Sequence, residues 1–284
     1  MGQVLINGLY SGVQYALIAL GLTLIFSLMN VMNFAHGQLY VLGGFVTYYV
    51  YGVLGLPFVV ALLAAGITLA VVGLLFDILF FRKVLARSAR DESTMLLATG
   101  TALLLDSLFI IFFGEKHRGV PTVISGVMRI SNNIFLPYSR VLIIIISVAV
   151  IVFFILFMKY TRCGRGLRAM AQDREAAKLM GVNVDRYSMF GWALAAMLAG
   201  LAGAMLVSVS GVNSGLGTWL SIKAFIMVMI GGAGVISGAI IGGLMLGILE
   251  SFGSSFLPGN QYLAIFIALI IFLAIRPRGL LGRQ

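Results

Sequence analysis

For most of its length this chain carries no charge with which to face water. Asp77 is the first charged side chain, and charge-free intervals return at 141–158, 188–222, 224–249 and 251–275. Each matches or exceeds the roughly 18–20 residues a helix needs to cross a bilayer. No water reaches backbone groups at that depth, so segments of this length must satisfy their own N–H and C=O groups as helices. A mean hydropathy of +1.10 and a charged fraction of only 10% exclude an ordinary soluble domain. The chain reads as an all-α polytopic membrane protein forming a single transmembrane domain over 1–284.

The net charge of +10 invites the thought of a nucleic-acid partner, but its distribution argues against one. Fourteen of the nineteen Lys and Arg fall in three short places: Arg82–Arg90, Lys159–Arg186 and the tail Arg276–Arg283. Clustering of basic residues in short loops follows the positive-inside rule and marks all three as cytoplasmic. The surplus charge thus reports orientation, and the expected surroundings are membrane lipid, not nucleic acid.

Apolar segments at about 7–29, 39–53 and 58–81 precede Arg82. Three crossings that end inside place the N-terminus outside. A fourth segment, 94–113, leads to the polar interval 115–140, which holds Asn132 and Asn133 and reads as a periplasmic loop; 141–158 then returns to the cytoplasm. Beyond the next basic stretch, 188–208 carries small residues at four-residue spacing: Ala196, Gly200, Ala204 and Ala195, Ala199, Gly203. Such faces let helix backbones approach closely. A Gly/Ser-rich outer loop is expected over 208–220, and then a short segment at 223–235 broken by Gly231-Gly232-Ala233-Gly234. Gly234, Gly238, Gly242 and then Gly243, Gly247 continue the close-packing theme through 236–256; Leu257-Pro258-Gly259-Asn260 turns, and 261–275 leads to a cytoplasmic C-terminus. The count is nine transmembrane helices, or eight if a glycine-broken segment is re-entrant. Met1 to Tyr10 has no basic n-region, so a cleavable signal peptide is not expected.

Enzymatic chemistry has little to build on. Neither G-x-x-x-x-G-K-[ST] nor H-E-x-x-H occurs, and His36 and His117 lie far apart, so no nucleotide-binding or metal site is expected. The lone Cys163 supports neither a disulfide framework nor a cysteine metal site. Three ionisable residues fall inside apolar segments, in the outer half under this topology: Asp106, Lys223 and Glu250. A charge there costs at least about 2.5–3.5 kcal/mol at mid-depth, so each needs a partner or a wet cavity. An interhelical ion pair, Lys223 with Glu250 or Asp106, satisfies that demand; so does a translocation pathway or gate. The cluster Asn30, Asn33, His36, Gln38 leaves a similar choice between contact with a polar substrate group and satisfaction of a broken helix end.

The longest polar interval, 159–187, contains a compact helix signal. Asp173 is placed as N-cap, Arg174 to Met180 as about two turns, Gly181 as a left-handed C-cap, and Asp185 as a second cap before the next apolar run. Ala176, Ala177, Leu179 and Met180 give it a small apolar face. Two readings stay open: a foothold for another protein, or a solvated loop with one helical turn.

Four stretches together carry a family resemblance: NVMNFAHGQLYVLGGF at 30–45, GRGLRAMAQDREAAKLMGV at 164–182, GGAGVISGAIIGG at 231–243 and RPRGLLG at 276–282. In these, over nearly its whole length, the chain resembles permease subunits of bacterial ABC importers of the branched-chain amino-acid type, the LivH kind. The resemblance implies the ABC importer permease fold, a bacterial inner-membrane location and no catalytic residue in this chain. It implies that Asp173, Arg174, Glu175, Ala176, Ala177, Met180 and Gly181 belong to a coupling helix seated on an ATP-hydrolysing subunit. The implied partners are a second permease (a LivM-like chain or a second copy), two ATP-binding subunits and a periplasmic substrate-binding protein. ATP and Mg are cofactors of the ATPases, with none expected here. Relatives of this kind also serve urea and aromatic or other organic acids, and a stand-alone secondary transporter is the other alternative.

Overall fold

The computed structural model describes residues 1–87, 91–131, 134–256 and 259–282. Arg90, Asn132, Asn133, Arg283 and the Leu257-Pro258 half of the expected turn lie outside the described residues.

The chain opens with α1 (Gly2–Met29), which stops where Asn30 turns left-handed at φ 53° and its N–H reaches the Phe26 carbonyl. After a non-helical stretch comes α2 (His36–Thr47), which continues as a π-helix over Tyr48–Val53. Pro57, with φ −54°, opens α3 (Phe58–Phe76); a π-helical turn over Asp77–Phe81 joins it to α4 (Arg82–Arg87). Next are α5 (Asp91–Phe113), an antiparallel hairpin of β1 (Val127–Ser131) and β2 (Ile134–Pro137), and α6 (Tyr138–Tyr160). Two short helices, α7 (Arg162–Gln172) and α8 (Arg174–Leu179), precede α9 (Val184–Ser210), α10 (Leu216–Gly231), α11 (Ile236–Phe256) and α12 (Gln261–Ile275). Among the described residues six helical runs are long and apolar enough to cross a membrane; Leu216–Gly231 and Ile265–Ile275 are shorter apolar helices.

Three expectations are corrected. The loop read over 208–220 shrinks to 211–215, because α9 runs on to Ser210 and α10 begins at Leu216. The interval 115–140 contains a hairpin, whose edge Gln3 of α1 extends by accepting from the Phe135 N–H and donating to the Phe135 carbonyl. His36, Gly37 and Gln38 are the first turn of α2, so only 30–35 is unwound.

Glycine and alanine decide which helices meet. A Cβ on Gly203 of α9 would collide with the Tyr40 carbonyl of α2, and one on Gly200 with Leu69 of α3. On α11, Gly243 and Gly247 lie against Ala16 and Gly12 of α1, while Gly238 and Gly242 face Gly231 and the Met227 carbonyl of α10. Lipid offers no hydrophobic drive between helices, so contact this close gains its stability from dispersion. The core is thus α1, α2, α9, α10 and α11, with α3 alongside. The most apolar windows of α5 and α6 are only 17% and 28% buried, against 72% for α1, so they form the periphery.

The basic stretches gather at one end of the bundle. Arg82 donates to the Asp185 carbonyl, and the backbone of Leu280 and Leu281 bonds to Ile230 and Gly231. Arg168 and Arg174 line one cavity together with the end of α1 and residues 233–237 between α10 and α11. The hairpin and the start of α1 occupy the other end, where Arg140 donates to Asn7 at 2.8 Å.

Candidate functional site: a polar core and a capped helix at the basic end

Between α1 and α2 the backbone is not helical, and neighbours bond several of its polar groups. Asn33 Oδ1 accepts from the Ala35 N–H at 3.1 Å, and His36 Nε2 donates to the Ile18 carbonyl at 3.1 Å. Ser221 of α10 serves both sides of the break: its hydroxyl accepts from the Gly37 N–H at 2.9 Å and donates to the Phe34 carbonyl at 2.7 Å. A Cβ on Gly37 would strike the Gly217 carbonyl, so the first turns of α2 and α10 cross here. Irregular backbone at membrane depth is tolerated where protein supports it, and Asn33, His36 and Gln38 have no exposed surface. Gln38 Nε2 donates to Asp106 of α5 at 3.1 Å. Asn33 Nδ2, His36 Nδ1 and Gln38 Oε1 find no partner among the described residues. Asn30 stands apart from this group, on the wall of a cavity at the basic end.

A second polar group joins α1, α10 and α11. Lys223 Nζ lies 2.6 Å from Glu250 Oε1 and 2.8 Å from the Tyr15 hydroxyl, and that hydroxyl donates in turn to Glu250 Oε2. The ammonium also sits 5.1 Å from the Tyr15 ring centre and 5.6 Å from that of Tyr262. Of the two partners open to Lys223 the structure selects Glu250, while Asp106 goes to Gln38. Tyr15 is midway along α1, about 20 Å from each end at 1.5 Å per residue. Glu250 lies late in α11, towards the end away from the basic stretches.

The basic end carries the capped helix. Asp173 Oδ1 accepts from the N–H groups of Glu175 and Ala176 at 2.9 and 3.0 Å. Gly181, at φ 83°, donates to the Lys178 carbonyl and Val182 to that of Ala177, each at 3.0 Å. That pair of bonds is a Schellman stop, with Val182 and Ala177 at its two ends. The expected apolar face is split, which corrects the sequence reading: Ala177 is 5% exposed and packs inward, whereas Leu179 and Met180 are 88% and 84% exposed. Asp185 does not cap α9; Asn183 Oδ1 accepts from the Arg186 N–H at 3.1 Å, and Asp185 lies in the first turn.

Sequence reasoning missed α7. Thr161 caps it by accepting from the Gly164 N–H at 2.9 Å, and Leu167 and Met170 face inward. Glycines at 164 and 166 weaken the helix signal, yet both sites need them: a Cβ at Gly164 would meet the Met158 and Phe157 carbonyls, and one at Gly166 the Tyr187 ring. Also missed was the role of Asp77, which is fully buried, 2.9 Å from Arg82, and accepts from Ser188 at 2.6 Å. Arg82, Asp185 and Ser188 line a cavity of about 540 Å³ with Arg174, Glu175 and Lys178 of α8. A larger one of about 730 Å³ separates the end of α1 from α7 and residues 233–237.

Closely packed glycine-rich helices, a polar break between α1 and α2 and an interhelical ion pair define a multi-pass membrane protein. The chain belongs to the family described as branched-chain amino acid transport system / permease component, whose profile matches residues 4–275. The high-affinity branched-chain amino acid transport system permease protein BraD of Pseudomonas aeruginosa is 31% identical, covering 99% of this chain and 95% of BraD. The corresponding permease LivH of Escherichia coli K12 is 32% identical over the same shares of the two chains. Among solved structures, PsaBC from Streptococcus pneumoniae in complex with Fab aligns over 96% of this chain and 90% of that one, with TM-score 0.49 and 17% identity.

Proposed function

We propose that this chain is the transmembrane permease subunit of an ABC importer that passes branched-chain amino acids across the bacterial inner membrane. Its basic end faces the cytoplasm, its N-terminus lies outside, and nine apolar helical segments cross, or eight if a glycine-broken one is re-entrant. The observation that carries this reading is α8: a helix bonded at both ends whose Leu179 and Met180 project from the basic end. Two large apolar side chains standing that far from their own core mark a contact with another protein. The partner is an ATP-hydrolysing subunit, present twice and carrying ATP and Mg. A second permease, LivM-like or a further copy, completes the membrane part, and a periplasmic binding protein delivers the substrate.

Asp173, Arg174, Glu175, Met180 and Gly181 shape and present the foothold, with Ala176 on its rim and Ala177 anchoring it from beneath. ATPase closure moves α8 as a rigid body, and the glycine-lined contacts of α9 and α11 convert that push into alternating access. Asn30, Asn33, His36, Gln38, Asp106, Lys223 and Glu250 are assigned to the moving parts around the path. Support comes from the resemblance of the whole chain to BraD and LivH, whose names state their substrates.

The test is a cross-link. With Cys163 replaced by Ser, Leu179→Cys should link to the ATPase subunit of the assembled complex, and reconstituted vesicles should take up leucine only with ATP inside. Uptake without ATP, together with no link from position 179, would leave a secondary transporter as the better account.

A further inference from the structure

Lys223 and Glu250 differ from the Arg82–Asp77 pair in a way that bears on substrate recognition. In the Arg82–Asp77 pair only the cation is open, at 35%, and the carboxylate is sealed, whereas Lys223 and Glu250 both keep part of their surface open, 12% and 16%. Within an apolar helix bundle an open ion pair facing hydrocarbon is costly, so its open side must meet water or polar groups. Beside it Trp219 stacks on Tyr262 with ring centres 5.2 Å apart, and the two are 49% and 38% exposed. The result is one positive and one negative group, adjacent and accessible, flanked by an apolar aromatic shelf.

We propose that this pair recognises the two charged ends of a zwitterionic α-amino acid. The substrate carboxylate accepts from Lys223 Nζ, its ammonium donates to Glu250, and its side chain lies on Trp219 and Tyr262. The proposal rests on the permease reading and names the chemistry of its path. Four alternating charges replace two, and the net charge of the site is zero both empty and loaded. An empty site that neutralises itself needs no bound ion and releases its guest by re-forming the pair. Tyr15 keeps the exchange local: its hydroxyl donates to Glu250 and accepts from Lys223, so it holds both side chains while their direct contact is open. A solute with one charge would leave either Lys223 or Glu250 without a partner, which a buried polar site rejects strongly.

The experiment uses the assembled complex of permease and ATPase subunits in nanodiscs, without binding protein, read by saturation-transfer NMR. The probes are leucine, 4-methylpentanoate (no amine) and isoamylamine (no carboxylate). Leucine should give a saturable signal, with both analogues at least about 100-fold weaker. Glu250→Gln and Lys223→Gln should each cut leucine binding at least about tenfold. The double variant K223Q/E250Q, which leaves no lone charge to disrupt folding, should assemble and also fail to bind. Equal signals from all three probes, absence of leucine binding, or unchanged binding in the assembled double variant would overturn the proposal. ATP-driven leucine uptake by the wild-type complex in sealed vesicles, with its binding protein added, is scored separately: its presence beside a negative binding result sinks this inference alone, and its absence sinks the permease reading.

Discussion

The Ser188 hydroxyl at the start of α9 donates to the Asp77 carboxylate at 2.6 Å, and both side chains are buried. Asp77 opens the π-helical turn after α3, and its other oxygen meets Arg82 at 2.9 Å. One carboxylate therefore ties the α3–α4 run to the base of α9, beside the cavity under α8. Replacing Asp77 by Ala leaves Arg82 facing that site without its counter-charge. Breaking a buried pair costs about 3–5 kcal/mol, and the lower end applies because Arg82 is 35% exposed. Ser188→Ala loses one bond to a charged acceptor, about 1.5–3 kcal/mol. Thermal unfolding of the detergent-purified chain should rank Asp77→Ala as the more damaging.

Leu179 and Ala177 separate the two duties of α8. Leu179→Glu changes a side chain that is 88% exposed, so stability should hold within about 0.5 kcal/mol. Permease-stimulated ATP hydrolysis and uptake should nonetheless fall at least about tenfold, as expected when a central contact residue is lost. Ala177→Glu forces a charge into the packed side of the helix, and the chain should lose stability before any docking is tested. Equal unfolding temperatures for the two variants would contradict this division.

Gly181 is the position of α8 where backbone geometry dictates the residue. Its φ of 83° is left-handed, and a Cβ there would touch nothing, so the cost of Gly181→Ala is conformational alone, about 1–2 kcal/mol. Asn tolerates that region better, so Gly181→Asn should be milder. Hydrogen exchange over residues 174–182 reads the effect directly, with faster exchange in the Ala variant than in the Asn variant.

Much of this was legible because two strong signals coincide. Long charge-free runs fixed the helices, and four-residue glycine spacing fixed which faces meet, as Gly203 against Tyr40 and Gly243 against Ala16 bear out. Asp173 and Gly181 announced α8 through capping chemistry. Side-chain direction was not legible, since a two-turn helix has too few residues for its period to say which of Ala177 and Leu179 faces inward. Tyr15 and Ser221 were equally silent. A tyrosine or serine in an apolar run gives no local hint that its hydroxyl closes an ion pair or bridges a helix break on another segment. α7 was hidden because the glycines that its packing requires oppose helix in the sequence.

Glycine at the crossing of α2 and α9 should tolerate no substitution. A Cβ at Gly203 would run into the backbone of Tyr40 and Gly44, which cannot rotate away as a side chain can. Overpacking of this kind costs about 1–3 kcal/mol. Gly100 in α5 has nothing within 4 Å, so Gly100→Ala should be neutral or gain up to about 1 kcal/mol from helix propensity. Comparing folded yield and melting of G203A and G100A checks both at once.

The break between α1 and α2 depends on one hydroxyl. Ser221 accepts from the Gly37 N–H and donates to the Phe34 carbonyl, and Ser221 itself is only 3% exposed. Ser221→Ala would orphan a buried donor and a buried acceptor together, each at about 1–3 kcal/mol. Ser208→Ala is the matched control. Its hydroxyl only donates, to carbonyls one turn back in its own helix at 3.1 Å, and such back-bonding is neutral or slightly unfavourable for a helix. The first variant should melt well below the parent chain and the second beside it. If both melt together, the unwound segment draws its support from its other contacts, chiefly His36 with Ile18 and Gln38 with Asp106.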